Sequence, residues 1–268
     1  MKETTQIGHL HPISIMIADI ARIFRKMGFA IADGPEIETE HYNFDALNIP
    51  DWHPSRDMWD TFWLKSTNDQ QLTTNKKIQD EGDGLGGLSV VGRRLLRTHT
   101  SPMQMRYMES HKPPIRIIVP GKVYRHEATD ATHEAQFYQL EGLMIEKDVS
   151  LAHFKGVLEQ FFSEFFGAKV SMRLRPSYFP FVEPGVEADI TCIKCAGKGC
   201  SVCKQSGWIE IMGAGMVHPK VLEFGGIDPK KYKGFAFGAG IDRLGVLKYG
   251  IDDVRLLYNG DLRLVNQF

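Results

Sequence analysis

Three short runs carry most of the functional information in this 268-residue chain: YRHE at 124–127, FYQLE at 137–141 and GFAFGAGIDR at 234–243. Arg125 and Arg243 stand in strand-like or glycine-rich settings, each near a carboxylate and aromatic residues. A guanidinium offers permanent charge in a planar fork that suits phosphate oxygens. An aromatic ring or an arginine plane can cover a purine base. The three runs therefore predict an ATP-type nucleotide pocket.

Two common nucleotide-binding motifs do not fit these residues. The glycine run places Arg243 where the dinucleotide fingerprint needs its third glycine, and no Walker lysine motif is present. Both the Rossmann and the P-loop interpretations therefore fail.

Composition narrows the class of protein further. Apolar residues make up 43% and charged residues 24%, with a formal net charge of -1, so nothing attracts the whole chain to nucleic acid. No run of about 18 apolar residues predicts a transmembrane helix. Residues 1–6 have no apolar signal core, which predicts a cytoplasmic protein without membrane contact.

Apolar periodicity predicts helices over residues 13–28 and 150–166 and a strand over 29–37 that Gly34-Pro35 interrupts. A glycine-rich stretch at about 66–92 predicts a flexible insertion or hairpin. Further strands are predicted at 115–119, 140–145, 170–174, 209–212 and 235–237. Because strands come in groups, we expect an α+β fold in which an antiparallel β-sheet is flanked by helices.

All four cysteines lie in one short segment, CIKCAGKGCSVC at 192–203. Two Cys-x-x-Cys pairs four residues apart argue against a disulfide framework. Four soft ligands in tetrahedral reach suit a structural Zn²⁺ at Cys192, Cys195, Cys200 and Cys203. The segment also looks like a DnaJ-type zinc knuckle. Reduced free thiols and a redox pair are the alternatives.

An aromatic pair follows in YFPFV at 178–182. Phe179 and Phe181 alternate, so on one strand both rings would face the same cavity and could pack on an aromatic ligand. Ordinary core packing is the alternative.

The runs at 124–127, 137–141 and 234–243 resemble the second and third signature motifs of class II aminoacyl-tRNA synthetases. The helix, strand and Gly-Pro before them resemble the first. Other similar runs are RTHTSPMQ at 97–104, GAGMVHP at 213–219 and KYGIDD at 248–253. At this density the chain resembles the alpha subunits of bacterial phenylalanine–tRNA ligases from Gly8 to its last residue.

This resemblance implies one class II catalytic domain over 1–268 that activates L-phenylalanine with ATP and Mg²⁺ and transfers it to tRNA(Phe). It also implies a beta subunit as partner, in an assembly of two alpha and two beta chains with an interface around Pro35. The family begins with a helical coiled-coil arm that contacts tRNA, and we expect this chain to lack that arm. An idle, amino-acid-binding regulator and an adenylating enzyme with another acceptor are the rival interpretations.

The resemblance also assigns roles in the nucleotide site. Arg125 would contact the α-phosphate and the substrate carboxylate. Arg243 would hold the γ-phosphate and cover the adenine opposite Phe137. Glu127 would accept from the adenine amine, and His133 would touch the outer phosphates. Glu183 and Glu210 would hold Mg²⁺.

For the phenylalanine pocket, the resemblance implies a wall residue, polar groups for the ammonium and carboxylate, two selecting rings and their apolar surroundings: Trp59, His99, Ser101, Gln104, Gln139, Glu141, Phe179, Phe181, Val182 and Ala236. Ala236 would lie at the bottom and leave room at the para position. An apolar pocket rejects an added hydroxyl by only roughly a hundredfold. Nothing in the sequence indicates an editing domain, so we expect proofreading to reside on another chain.

Overall fold

The computed structural model describes residues 8–57, 60–65 and 93–268. Its strands are β1 (Ala30–Ile31), β2 (Ile37–Thr39), β3 (Arg94–Leu96), β4 (Ile115–Tyr124), β5 (Gln136–Glu146), β6 (Met172–Phe179), β7 (Val182–Thr191), β8 (Trp208–Val217) and β9 (Lys233–Gly240). Its α-helices are α1 (Pro12–Lys26), α2 (Glu40–Asn43), α3 (Pro102–Ser110), α4 (Leu151–Phe166), α5 (Pro219–Phe224), α6 (Ile241–Tyr249) and α7 (Leu262–Val265). Short 3₁₀ turns occupy Asp45–Leu47, Pro54–Arg56 and Val254–Leu257.

Seven strands form one sheet in the order β1-β4-β5-β9-β8-β7-β6. Every neighbouring pair is antiparallel except β1 and β4, which run parallel. Strands β2 and β3 pair separately. The sheet confirms the predicted α+β fold and adds one parallel edge strand. The predicted insertion at 66–92 lies outside the described residues.

Both faces of the sheet are covered. Side chains of a strand alternate between faces, and β4 sends Ile118 into a core shared with α1, α4 and α6, while Ile117 and Val119 enter a second core. The first core is rich in aromatic rings, with Phe24 of α1 lying 4.7 Å from Phe161 of α4. The sheet is therefore fixed from both sides, and its middle strands are a rigid base for a site.

The two long helices predicted from periodicity are confirmed. Helix α1 ends two residues before Gly28, which has φ 81°. Helix α4 begins after Ser150, whose hydroxyl accepts from the backbone of His153, and ends at Gly167 in the left-handed conformation. A serine cap and a glycine stop are signals that the sequence displays directly.

The predicted strand over 29–37 is wrong. Strand β1 stops at Ile31 and joins the large sheet, whereas β2 starts at Ile37 and pairs with β3. The carbonyl oxygens of Gly34 and Pro35 between them accept hydrogen bonds from Arg97. Because Pro35 has no N–H to donate, it breaks a continuous ladder, and the chain crosses there from one sheet to the other.

Among the described residues, no helix is both long and apolar enough to cross a bilayer.

Candidate active site

One row of cross-strand residue pairs, which we call the register line, runs across five strands and organises the site. Glu141 on β5 pairs with Gly238 on β9, which pairs with Gly213 on β8, then with Glu187 on β7 and Arg175 on β6. The two glycines leave the centre of this line without side chains. A Cβ on Gly213 would lie 2.9 Å from Cζ of Phe179, so only glycine lets that ring settle on the sheet.

A cavity of about 540 Å³ lies on one side of this line. It brings together the residues predicted for the nucleotide, which are Arg125, Glu127, His133, Phe137, Glu210 and Arg243. Arg125 and Phe137 approach each other, with the guanidinium carbon 5.1 Å from the ring centroid. His133 lies on an exposed turn, with Nδ1 3.0 Å from Oδ1 of Asp130. The set has the positive charge and the aromatic face that a nucleotide requires.

Arg125 is the most desolvated of these groups. Its Nε donates to the backbone oxygen of Thr98 over 3.2 Å. Burial lowers the pKa of Arg125, and Glu127, Glu141 and Asp60 oppose this effect. Within the described parts of the chain, no carboxylate forms an ion pair with it. A buried guanidinium without an ion-pair partner gains much from binding an anionic group of a substrate.

The two predicted magnesium ligands do not come together. Glu210 lines the nucleotide cavity, with carboxylates of Glu127, Glu134 and Asp252 on the same wall. Glu210 pairs in register with Asp189, and Glu183 stands six residues earlier on β7, about 20 Å away along the strand. Glu183 is instead exposed and pairs with His218 at 3.3 Å. The prediction that Glu183 and Glu210 share one ion is wrong.

A second cavity of about 450 Å³ lies beside the first. The predicted amino-acid residues that line it are His99, Ser101, Gln104, Gln139, Glu141, Phe179, Phe181 and Ala236. Its apolar wall also includes Leu47, Ile49 and Val221. The remaining predicted wall residue, Trp59, lies outside the described residues. The cavity is therefore polar at one end and apolar at the other.

The rings of Phe179 and Phe181 lie next to each other, but for a different reason from the predicted alternation on one strand. Phe179 ends β6 and Phe181 lies in the turn before β7, so they do not alternate on one strand. Their rings stack with centroids 5.8 Å apart and planes at 23°. Val182 is buried beneath Gly215 and does not line the cavity, which contradicts its predicted place in the pocket. The chain turns at Pro180, directly after Phe179, so the two-residue alternation of a strand does not continue to Phe181.

The polar end of this cavity contains a buried carboxylate. Ser101 Oγ and Gln104 Nε2 donate to the same oxygen of Glu141, over 2.5 and 2.8 Å. Burial nevertheless raises the pKa of Glu141 to about 7, although these hydrogen bonds and Arg125 favour the ionised form. A carboxylate in this environment gains much from a cationic partner.

Two neighbouring polar side chains have unmet hydrogen-bonding capacity. Neither ring nitrogen of His99, nor Oε1 of Gln139, makes a well-formed hydrogen bond with any described residue, although all three atoms are buried. Burial lowers the pKa of His99 to about 3, and Arg125 acts in the same direction while the backbone of Asn43 opposes it. His99 is therefore neutral near pH 7. Buried polar groups without partners are costly unless a ligand satisfies them.

The two cavities adjoin each other, because Arg125, Glu210 and Gly213 line both. A ligand in the nucleotide cavity and a ligand in the smaller cavity would meet at Arg125. Such a joint site suits a reaction between a phosphate and an acid.

Comparison with known proteins agrees with this geometry. The family model for the tRNA synthetases class II core domain (F) matches residues 1–268. The chain is 53% identical over 262 residues to the phenylalanine–tRNA ligase alpha subunit of Dehalococcoides mccartyi (strain CBDB1), covering 98% of this chain and 70% of that protein. It is 48% identical over 264 residues to that of Bacillus subtilis (strain 168), covering 98% and 69%. The chain belongs to the phenylalanine–tRNA ligase alpha-subunit family.

The fold has a synthetase neighbour among solved structures. The pyrrolysyl-tRNA synthetase from Desulfitobacterium hafniense superimposes with a TM-score of 0.64 over 96% of this chain and 76% of that one, at 18% identity. This likeness supports the class II fold alone. The alpha-subunit relatives are the ones that identify the family.

The cysteine cluster of this family member has the dimensions of a metal site. The Sγ atoms of Cys192 and Cys200, Cys195 and Cys203, and Cys200 and Cys203 lie 3.7, 3.8 and 3.7 Å apart, and all four lie within 4.8 Å of one another. A disulfide would require about 2.05 Å. Four sulfurs at about 2.3 Å from one zinc ion stand about 3.8 Å apart. The donor set and its spacing fit Zn²⁺.

Several residues of the site escaped the sequence analysis. Leu47 lines the amino-acid cavity from the end of a 3₁₀ turn and Ile49 from the segment after it. Glu187 lines it from β7, where its carboxylate pairs with Arg175 of β6 at 2.8 Å. None of these residues has a local chemical signal that would assign it to a ligand. Gly213 and Gly215 are the one local signal, because closely spaced glycines in a strand indicate close approach.

Replacing Glu141 with glutamine tests the buried carboxylate. A folded-state pKa of about 7, above the usual 4.5, means that the folded protein binds the extra proton between these values. Without ligands, the free energy of unfolding should therefore fall as pH rises from about 4.5 to 7, by up to roughly 3 kcal/mol from this group. Glu141→Gln should remove that loss in urea titrations at pH 5 and pH 8. Exposed Glu223→Gln is the control, and equal pH dependence in both variants would contradict the assignment.

Proposed function

We propose that this chain is the catalytic alpha subunit of a phenylalanine–tRNA ligase, which activates L-phenylalanine with ATP and transfers it to tRNA(Phe). The observation that carries the proposal is the pair of adjoining cavities that share Arg125. One has the charge and aromatic face for a nucleotide, and the other has a buried carboxylate facing an apolar end. We take residues 1–268 as one class II catalytic domain.

In the amino-acid cavity, Glu141 would accept the substrate ammonium together with the polar groups of Ser101 and Gln104. Ionised Glu141 and an ammonium form a charge-assisted pair in a place where water is excluded. The unmet polar atoms of His99 and Gln139 would complete the contacts to the amino-acid head group. The side chain would then extend towards the stacked rings of Phe179 and Phe181, with Ala236 at the end of the pocket.

In the nucleotide cavity, Arg125 would align the α-phosphate with the substrate carboxylate. A carboxylate oxygen attacks the α-phosphorus, an O–P bond forms, and the bond to the leaving pyrophosphate breaks. Catalysis of this step depends on alignment and on neutralising charge at the phosphate oxygens. Arg243 would hold the γ-phosphate, Phe137 the adenine, Glu127 the adenine amine and His133 the outer phosphates.

Magnesium accompanies ATP in this proposal and supplies further positive charge to the phosphates. Mg²⁺ is usually held by one or two carboxylates together with phosphate oxygens and water. Glu210 lies on the cavity wall and is the residue of this chain that we assign to the ion. Exposed Glu183, at the other end of β7, has no part in it.

We further propose that Cys192, Cys195, Cys200 and Cys203 hold a structural Zn²⁺. The thiol spacing described above supports a closed tetrahedral site, which leaves no position for substrate. Backbone N–H groups of Gly199, Cys200 and Gly207 point at the sulfurs over 3.1 to 3.3 Å, as expected for groups that carry thiolate charge.

The names of the relatives imply a beta subunit as partner, and we propose an assembly of two alpha and two beta chains with the interface around Pro35. Since translation takes place in the cytoplasm, we expect the protein there. The adenylation chemistry lies within this chain, and assembly would complete its surroundings.

Phenylalanine-dependent exchange between ATP and pyrophosphate tests the function. We expect exchange from this chain with a bacterial beta subunit present, and lower or no exchange from the chain alone. Arg243→Ala, which removes one phosphate contact, should reduce exchange by about a hundredfold or more and leave the fold intact by circular dichroism. A folded wild-type assembly without exchange would favour the idle regulator. Exchange without charging of tRNA(Phe) would favour another acceptor.

Replacing Ala236 with glycine tests the amino-acid pocket. The change removes the methyl group at the apolar end and should admit para-halogenated phenylalanines, measured as exchange with para-chlorophenylalanine relative to phenylalanine. We expect that ratio to rise by about tenfold or more, as the added volume removes a steric clash. Activation of phenylalanine alone by Ala236→Gly would contradict the placement of Ala236.

A further inference from the structure

Residues 192–207, which we call the knuckle, connect strands β7 and β8 and contain all four cysteines. Its backbone is tightly determined. Ala196 and Lys204, each one residue after a cysteine pair, have φ of 48° and 49°, in the left-handed region. Gly207 approaches the other half so closely that a Cβ there would lie 2.3 Å from the oxygen of Gly197. The two halves of the knuckle therefore fit together in one arrangement.

Strand β8 leaves the knuckle and enters the nucleotide cavity within three residues. A crevice of about 400 Å³ separates the two, and both contribute to its walls. The knuckle side provides Val202, Cys203 and Lys204, and the nucleotide side provides Glu210 and Arg243.

Polar contacts connect the strand residues that line this crevice. Asp189 on β7 is buried and accepts from Arg173 over 2.7 Å and from Arg175 over 2.9 Å. Arg175 also donates to Oε2 of Glu210 over 2.8 Å. The backbone oxygen of Glu210 in turn receives Nε of Arg243 over 3.4 Å. The position of Arg243 thus depends on where β8 holds Glu210.

The pairing between β7 and β8 is short at this end of the hairpin. A register shift interrupts the β7–β8 pairing between Ala188 and Asp189, and only three residue pairs, Asp189 with Glu210, Ile190 with Ile209 and Thr191 with Trp208, lie between that shift and the knuckle. Strand β7 also pairs with β6 here, but β8 pairs with β9 only from Gly213 onward, so this short ladder is the only strand pairing of residues 208–210 in the described part of the chain. A metal ion bound by four side chains of the knuckle would stabilise this end of the hairpin, because the free energy of metal binding contributes to folding.

We propose that the metal-bound knuckle positions the ATP pocket. The metal fixes the end of the β7–β8 hairpin, the hydrogen bond from Arg175 then holds Glu210 in place, and Glu210 in turn holds Arg243. The inference rests on the proposed function, and it makes Arg175 a positioning residue rather than a catalytic one. Cys203 lines the crevice beside the nucleotide cavity, and none of the cysteines lines the amino-acid cavity. Arg175 reaches that second cavity only indirectly, through its contacts with Glu187 and Glu210. Loss of the metal should therefore weaken ATP binding much more than phenylalanine binding.

Three variants of the full chain, each assembled with the beta subunit, test this inference. Cys200→Ser removes one ligand, Arg175→Met breaks the polar relay without touching the knuckle, and exposed Lys198→Ala is the control on the same segment. The measurements are zinc content by mass spectrometry, affinity for a non-hydrolysable ATP analogue by calorimetry, and the KM values for ATP and phenylalanine in exchange.

We expect one zinc per wild-type chain, Lys198→Ala chain and Arg175→Met chain, and less than one in Cys200→Ser. Cys200→Ser and Arg175→Met should each weaken the ATP analogue and raise the KM for ATP about fivefold or more, with the KM for phenylalanine within twofold of wild type. Lys198→Ala should match wild type throughout.

Unchanged ATP affinity in Arg175→Met would overturn the inference, even if Cys200→Ser fails to fold. Equal increases in both KM values would also overturn it, because general loosening would affect both substrates. A wild-type protein without zinc would overturn it as well. Lack of exchange by a zinc-containing wild-type assembly would instead contradict the proposed function, while the analogue titrations would still report on the knuckle.

Discussion

Desolvation of two opposite charges is the constraint on which this site depends. Arg125 and Glu141 are both withdrawn from water, yet they do not form an ion pair with each other. A direct pair would satisfy both groups and leave little for a substrate to gain. Held apart, the guanidinium is directed to an anion and the carboxylate to a cation. An amino acid that brings its carboxylate to one and its ammonium to the other satisfies both charges.

The sheet provides the rigidity that this separation requires. Glu141 stands on β5, between β4 and β9, and its neighbours across the register line are the glycines of β9 and β8. Side chains there would fill the space in which a ligand lies. Aromatic packing on one face and a second apolar core on the other keep these strands from shifting. His99 and Gln139, whose buried polar atoms have unmet hydrogen-bonding capacity, line the amino-acid cavity, where a ligand can satisfy them.

The sequence could indicate that Arg125, Glu127, Phe137 and Arg243 line one cavity, because they lie in short runs whose chemistry is visible locally. The errors came where distant segments decide the outcome. Glu183 and Glu210 are both acidic residues near strands, but only the register of β7 against β8 reveals that they stand at opposite ends. Phe181 was placed on a strand because alternation continues through Pro180, whereas the chain turns there. The role of Gly213 and Gly238 follows from their pairing with each other across β8 and β9, which no local sequence pattern reveals.

A crystal structure with a non-hydrolysable phenylalanyl-adenylate analogue tests the central claim most directly. The account predicts the aromatic ring of the analogue against Phe179 and Phe181, its ammonium on Glu141, its adenine at Phe137, and Arg125 in contact with the group that replaces the α-phosphate. An analogue bound with Arg125 turned away, or with its amino-acid part outside the cavity of Glu141, would contradict the account.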